Sequence, residues 1–295
     1  MRIDRSIGRT TLVVFFVSLL ALSIGFWWLA WAWGAGDWMP GAPKSREWFV
    51  VAIMWCPGLA ALIACATTRT SFSVLGLRAP REGWLGIAYA YPIAYLLIGY
   101  ALVWVFGFGT LDTSALLAES EKRWSLQGTT ALFVGVVAIL TVGVLAEIGR
   151  SLGEELGWRG LLSPAFVERR GLTIGGVASA LVWGAWHLPL LCAFGFAPLP
   201  TSYAVAMFMV GIVPLGYVCA WLRWRSRSVW PAVIVHAVHN ALMFPLFDAS
   251  TTPIGEGTAY ATGETGFAVA LVNTIIALIV WRTTRRKEDS TRHRR

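Results

Sequence analysis

Apolar residues run through this chain in stretches of about twenty, broken by short polar segments rich in Arg, Gly and Pro. Eight such stretches stand out, at 10–33, 48–66, 85–107, 129–149, 172–192, 203–222, 230–247 and 267–281. A bilayer core about 30 Å thick takes roughly 20 apolar residues as a helix. The pattern therefore predicts an all-α polytopic membrane protein with about eight transmembrane helices. The fourth apolar stretch does not stop at Gly149 but continues to Trp158. As one helix it would reach roughly 45 Å. It is thus expected to tilt, to break near Gly149 or Gly153, or to protrude. The first stretch follows Arg2, Arg5 and Arg9 as a signal peptide would, but it is long and ends in Trp27, Trp28, Trp31 and Trp33. A bulky end argues for a helix that is retained.

Composition supports the same class. Hydrophobic residues make up 57% of the 295 positions and charged residues only 14%, against about 25% charged in a soluble domain. A soluble surface, a disordered chain and a disulfide scaffold built on 4 Cys are all excluded. The 17 Trp suit a membrane interface. The net charge of +8 would fit nucleic acid, until the bases are placed. With the N-terminus cytoplasmic, 20 of the 24 Lys and Arg fall on cytoplasmic segments, and only Lys44, Arg46, Lys122 and Arg123 fall outside. That asymmetry puts both termini in the cytoplasm and makes membrane lipids, not nucleic acid, the partner of the charge. The organisation expected is one multi-pass domain over 1–281, with the motif-bearing helices inside 129–247, and a basic cytoplasmic tail over 282–295. Two outer loops are longer than the rest, 109–128 with an amphipathic stretch at 116–124, and 248–266. Cys56, Cys65, Cys192 and Cys219 all lie in spans and read as small buried residues.

Ionisable side chains are costly in lipid, so each one there is a candidate for function. They are few: Glu147, Glu154, Glu155, Arg159, His187, His236 and His239, with Asn240 beside them. Thirteen of the 16 acids, Asp248 and Glu264 among them, read as loop or tail residues. Glu155 and Arg159 stand at i, i+4 on a helix in the favourable order for an ion pair. Glu154 lies about a quarter-turn away, outside that pair. Trp183 and His187 share a face at i, i+4, as do His236 and Asn240, with His239 close by. By residue count His236 lies roughly 9 Å into its span and His187 roughly 22 Å, so bringing them together needs a deep cavity or a later start to the fifth span.

These three strings, Glu154-Glu155-xxx-Arg159, Trp183-xxx-His187 and His236-xxx-Asn240, resemble in order and spacing those of the CPBP family. These are intramembrane proteases related to CAAX prenyl endopeptidases and bacterial Abi proteins. The resemblance implies a peptide hydrolase in which Glu154 activates water and His187 positions it. His236 and Asn240 would stabilise the oxyanion, with Glu155 and Arg159 as structural support. The chemistry is sound, because amide hydrolysis needs a base, a water and donors aimed at the developing charge. No cofactor is required by that scheme. A zinc version, with His187, His236 and Glu154 or Glu155 as ligands, stays open at this stage. The implied partner is a peptide or protein substrate, lipid-modified or not, and the implied location is the bacterial cell (inner) membrane. Two other readings of the same residues stay open as well: a transporter or proton relay, and a non-catalytic binding protein of the bacteriocin-immunity type.

Overall fold

The computed structural model describes residues 7–32, 47–193 and 199–292. The expected Trp33, Lys44 and Arg46, the first three of the cytoplasmic bases except Arg9, and His293 lie outside them. The described chain is almost entirely helical: α1 (Arg9–Ala32), α2 (Glu47–Thr67), α3 (Trp84–Val105), α4 (Ser114–Trp124), α5 (Gly128–Ala138), α6 (Val144–Glu155), α7 (Ser163–Ala193), α8 (Thr201–Ser226), α9 (Trp230–Leu242), α10 (Gly257–Ala261) and α11 (Phe267–Arg292). Two short strands, β1 (Thr110–Leu111) and β2 (Thr251–Thr252), pair antiparallel and clip the two long loops together. The amphipathic stretch expected at 116–124 is α4. The chain is an all-α, multi-pass membrane protein.

Seven helical stretches among the described residues are long and apolar enough to cross a bilayer. The expected count was eight. The difference is Gly128–Cys192, a 65-residue stretch that fuses the fourth and fifth expected spans. At 1.5 Å per residue such a rod would be about 98 Å long, three bilayer cores. It is not one rod. Gly171 takes φ 75° and ψ 167°, which breaks the helix inside α7, and glycine adopts that conformation without a Cβ penalty. No break occurs at Gly149 or Gly153, which lie inside α6. Instead α5 passes into α6 through a π-helical segment, Ile139–Gly143, and α6 passes into α7 through a second, Leu156–Leu162. Residues 153–163 are all buried. Arg159, counted above with the cytoplasmic bases, is therefore inside the bundle. Two smaller expectations also change. Cys192 is exposed, while the other three cysteines are buried. Helix α11 runs on to Arg292, so the basic segment after Arg282 continues the last helix.

Helix α9 sits at the centre. It packs against α6, α3 and α8, and 67% of its apolar stretch is buried, more than in any other span. Around it, α2 lies on α1 and α6, α8 on α7 and α11, and α11 on α3. The crossing of α2 and α6 is a backbone contact. A Cβ on Gly58 would lie 2.5 Å from the Gly153 carbonyl oxygen, and one on Gly157 would lie 2.7 Å from the Pro57 carbonyl. Small residues four apart let membrane helices approach this closely. The crossing flanks Glu154 and Glu155 and so fixes where their carboxylates point.

Candidate active site

The first motif straddles the junction of α6 with its π-helical segment. Glu155 ends α6, and Arg159 sits one turn on, inside the segment. Arg159 Nη1 donates to Glu155 Oε1 at 2.8 Å, and both side chains are fully buried. The guanidinium lies over the Trp183 ring at 4.0 Å, a geometry that favours a cation. Gly216 on α8 makes room for it, since a Cβ there would come within 3.0 Å of Arg159 Nη2. The Arg159 carbonyl accepts from Arg223 Nε at 2.9 Å, and Arg223 also donates to the Val74 carbonyl. Glu155 Oε1 takes a second contact, His236 Nδ1 at 3.0 Å. The supporting pair is thus tied directly to the third motif.

Glu154 points elsewhere. Its Oε2 accepts from the indole N–H of Trp158 at 3.2 Å and from that of Trp183 at 2.8 Å. Sequence spacing placed Glu154 free of the ion pair, and it is, but two tryptophans hold it. Trp158 was findable, one helical turn after Glu154. Trp183 was quoted in the second motif with no role attached.

His187, His236, His239 and Asn240 line one cavity of about 70 Å³, with Trp183 in its wall. A space of that size takes a few waters. Glu154 is not on the lining; it lies behind Trp183, whose ring contacts both His187 (5.9 Å between centroids) and His236 (5.6 Å). His187 Nδ1 donates to the Trp183 carbonyl at 2.9 Å, which leaves Nε2 as its acceptor face in the neutral ring. Despite the difference in depth expected from residue counts, His187 and His236 line the same cavity. Counting from a common starting plane fails because the α6–α7 joint is itself folded into the bundle. Glu147 takes no part and pairs with Arg150 at 2.7 Å.

The opposite wall was not expected from the sequence. Tyr95 of α3 and Glu264, just before α11, reach the same cavity. Tyr95 Oη lies 2.6 Å from His239 Nδ1, and His239 Nε2 lies 3.5 Å from Glu264 Oε1. Glu264, classed above as a loop acid, is half-buried. Burial pushes its carboxyl up, but the hydrogen bond and charge of His239, with His187 and His236, outweigh this and hold it below the usual value. Asp248, the other loop acid of that group, accepts from the Tyr100 hydroxyl, which in turn accepts from the Gly263 N–H at 3.1 Å. No one-dimensional pattern marks Tyr95 or Glu264, because they belong to different elements far apart in the chain.

The zinc set left open above does not fit this arrangement. Among the described residues no three His, Cys, Asp or Glu side chains gather as a metal requires. Glu154 is taken up by two indoles and Glu155 by Arg159 and His236. No step below is routed through a metal.

Comparison with known proteins bears on this site. Residues 128–242 match the model of the family described as type II CAAX prenyl endopeptidase Rce1-like. A curated relative, CAAX prenyl protease 2 of Methanococcus maripaludis, is 28% identical over 154 residues, covering 50% of this chain and 54% of the relative. The chain thus spans about half the length of the curated relative it matches. The matched stretch holds every residue of the three motifs, from Glu154 to Asn240. Residues 128–242 are therefore similar to the type II CAAX prenyl endopeptidases of the Rce1-like family.

Proposed function

We propose that this protein is an intramembrane endopeptidase that hydrolyses a peptide bond near the cytoplasmic leaflet. The observation that carries the reading is the convergence of α7 and α9 on one cavity, where His187, His236 and Asn240 meet, with Glu154 held against its wall by Trp183. In the proposed reaction a water admitted beside the Trp183 ring reaches Glu154, which removes its proton, and His187 Nε2 orients that water. The resulting hydroxide attacks the scissile carbonyl. His236 and Asn240 face the oxyanion. His236 spends Nδ1 on Glu155, so it donates from Nε2 only when both nitrogens are protonated. The adjoining Glu155 carboxylate supports that cation. Glu155 and Arg159 act through His236, as its anchor.

The substrate is a peptide or protein within the membrane. Phe208, Ile212, Leu215 and Val269 give the cavity apolar walls, which suits apolar side chains or a lipid-modified residue next to the scissile bond. The location proposed is a bacterial inner membrane, and the distribution of basic residues supports cytoplasmic positions for both termini.

Glu154→Gln tests the reading, since the amide keeps the size of the side chain and loses the base. Membrane fractions of cells expressing wild type or the variant are compared by peptide proteomics. Fragments made by wild type are expected to vanish in the variant while the protein still inserts. Retained cleavage would overturn the mechanism.

A further inference from the structure

Hydrolysis of an amide leaves one step unserved by the groups named so far. When the C–N bond breaks, the amine needs a proton. His236 spends Nδ1 on Glu155 and Nε2 on the oxyanion, His187 spends Nδ1 on a backbone carbonyl and Nε2 on the water, and the Glu154 carboxylate is held by the indoles of Trp158 and Trp183 and takes the proton of the water. Lining the same cavity stand Tyr95, His239 and Glu264, from three separate parts of the chain, joined by a hydrogen bond between Tyr95 and His239 and an ion-pair contact between His239 and Glu264. In the cationic form, His239 donates from Nδ1 to the Tyr95 oxygen and from Nε2 to Glu264. The hydrogen of Tyr95 is then not used on His239 and is left for the cavity. Tyr91, one turn earlier on α3, differs: its hydroxyl donates to Asn273.

We propose that Tyr95 is the general acid that protonates the leaving amine, with His239 and Glu264 as positioning residues that restore its proton. This rests on the endopeptidase reading above. The step balances as follows. The water oxygen bonds to the carbonyl carbon and gives one proton to Glu154. The C–N bond breaks, and its electron pair takes the Tyr95 O–H proton. The phenolate takes the Nδ1 proton of the His239 imidazolium, which stays neutral with Nε2–H on Glu264. Glu154 then releases its proton to water and His239 regains one, so the cycle consumes one water and no net proton. Tyr95, His236 and Asn240 line one small cavity, and in the proposed reaction a group held at His236 and Asn240 meets Tyr95 there.

The test uses the full-length protein and two substrates: a peptide carrying a cleavage site found by proteomics, and the same sequence with an ester at the scissile bond. An alkoxide leaves more readily than an amide anion and needs the proton less. Tyr95→Phe is expected to lose about 10²-fold or more on the amide and under roughly tenfold on the ester. His239→Gln is expected to show the same split in weaker form. Tyr91→Phe, which removes the hydroxyl bonded to Asn273 one turn away, is expected to show no split. Equal losses on both substrates for Tyr95→Phe, or no loss on the amide, would overturn the proposal; ester turnover and thermal unfolding in detergent report whether the variant has folded. Glu154→Gln separates the two claims. If it loses both substrates and Tyr95→Phe shows no split, the acid assignment fails and the endopeptidase reading stands. If Glu154→Gln retains both while Tyr95→Phe splits them, the base assignment fails and Tyr95 stands.

Discussion

Arg159 carries more contacts than any other charged residue of the motifs. It pairs with Glu155, stacks on Trp183 and offers its carbonyl to Arg223. The spacing argument anticipated only the first. An i, i+4 pair on a surface helix is worth a few tenths of a kcal/mol. This one is buried, where loss of one partner strands the other. Arg159→Met is therefore expected to cost about 3–5 kcal/mol and to lower the thermal midpoint in detergent. Glu155→Gln combined with Arg159→Met should cost less than the sum of the two single changes, since no charge is left unpaired. Local spacing made the pair legible because both residues lie on one helix. The contact of Glu155 with His236 was not legible, because 81 residues of chain separate them.

At the scale of elements, the α2–α6 crossing decides the aim of the first motif. Gly157 has no space for a side chain, with Pro57 backbone and ring atoms within 2.7 Å of where its Cβ would stand. Overpacking a tight contact costs roughly 1–3 kcal/mol. Gly157→Ala is expected to lower thermal stability by that amount. Because it pushes α6 off α2 beside Glu154 and Glu155, it should also reduce cleavage more than it reduces the folded fraction. Parallel measurements of turnover and unfolding check both. The sequence marked this helix as too long for one upright span and left a tilt, a break near Gly149 or Gly153, or a protrusion open; no break occurs at either glycine. Glycine count alone does not tell a hinge from a packing site. Gly153 serves contact with α2, and of Gly149, Gly153 and Gly171 it is Gly171 that has a positive φ.

Across the whole molecule, the number of crossings follows from how Gly128–Cys192 is laid in the bilayer. If its arms on either side of Gly171 cross separately, there are eight passages and the two termini share a side. If it crosses once, they do not. Protease-accessible tags at the two ends are expected to be cut from the same, cytoplasmic, face of inverted vesicles, and a tag inserted at Gly171 from that face as well.

Hydropathy by itself determined that this is an all-α membrane protein and where most of its helices lie, because lipid admits only long apolar helices with every backbone group bonded internally. Cost of charge in lipid likewise reduced the candidates to Glu147, Glu154, Glu155, Arg159, His187, His236 and His239, with Asn240 beside them. Tertiary structure alone decided which of these meet. It put Glu154 behind Trp183, tied Glu155 to His236, and brought Tyr95 and Glu264 into the cavity with His239. Hydrophobicity is a property of each residue and adds along the chain. A hydrogen-bonded site depends on distances between helices, which the chain sets only when those helices pack.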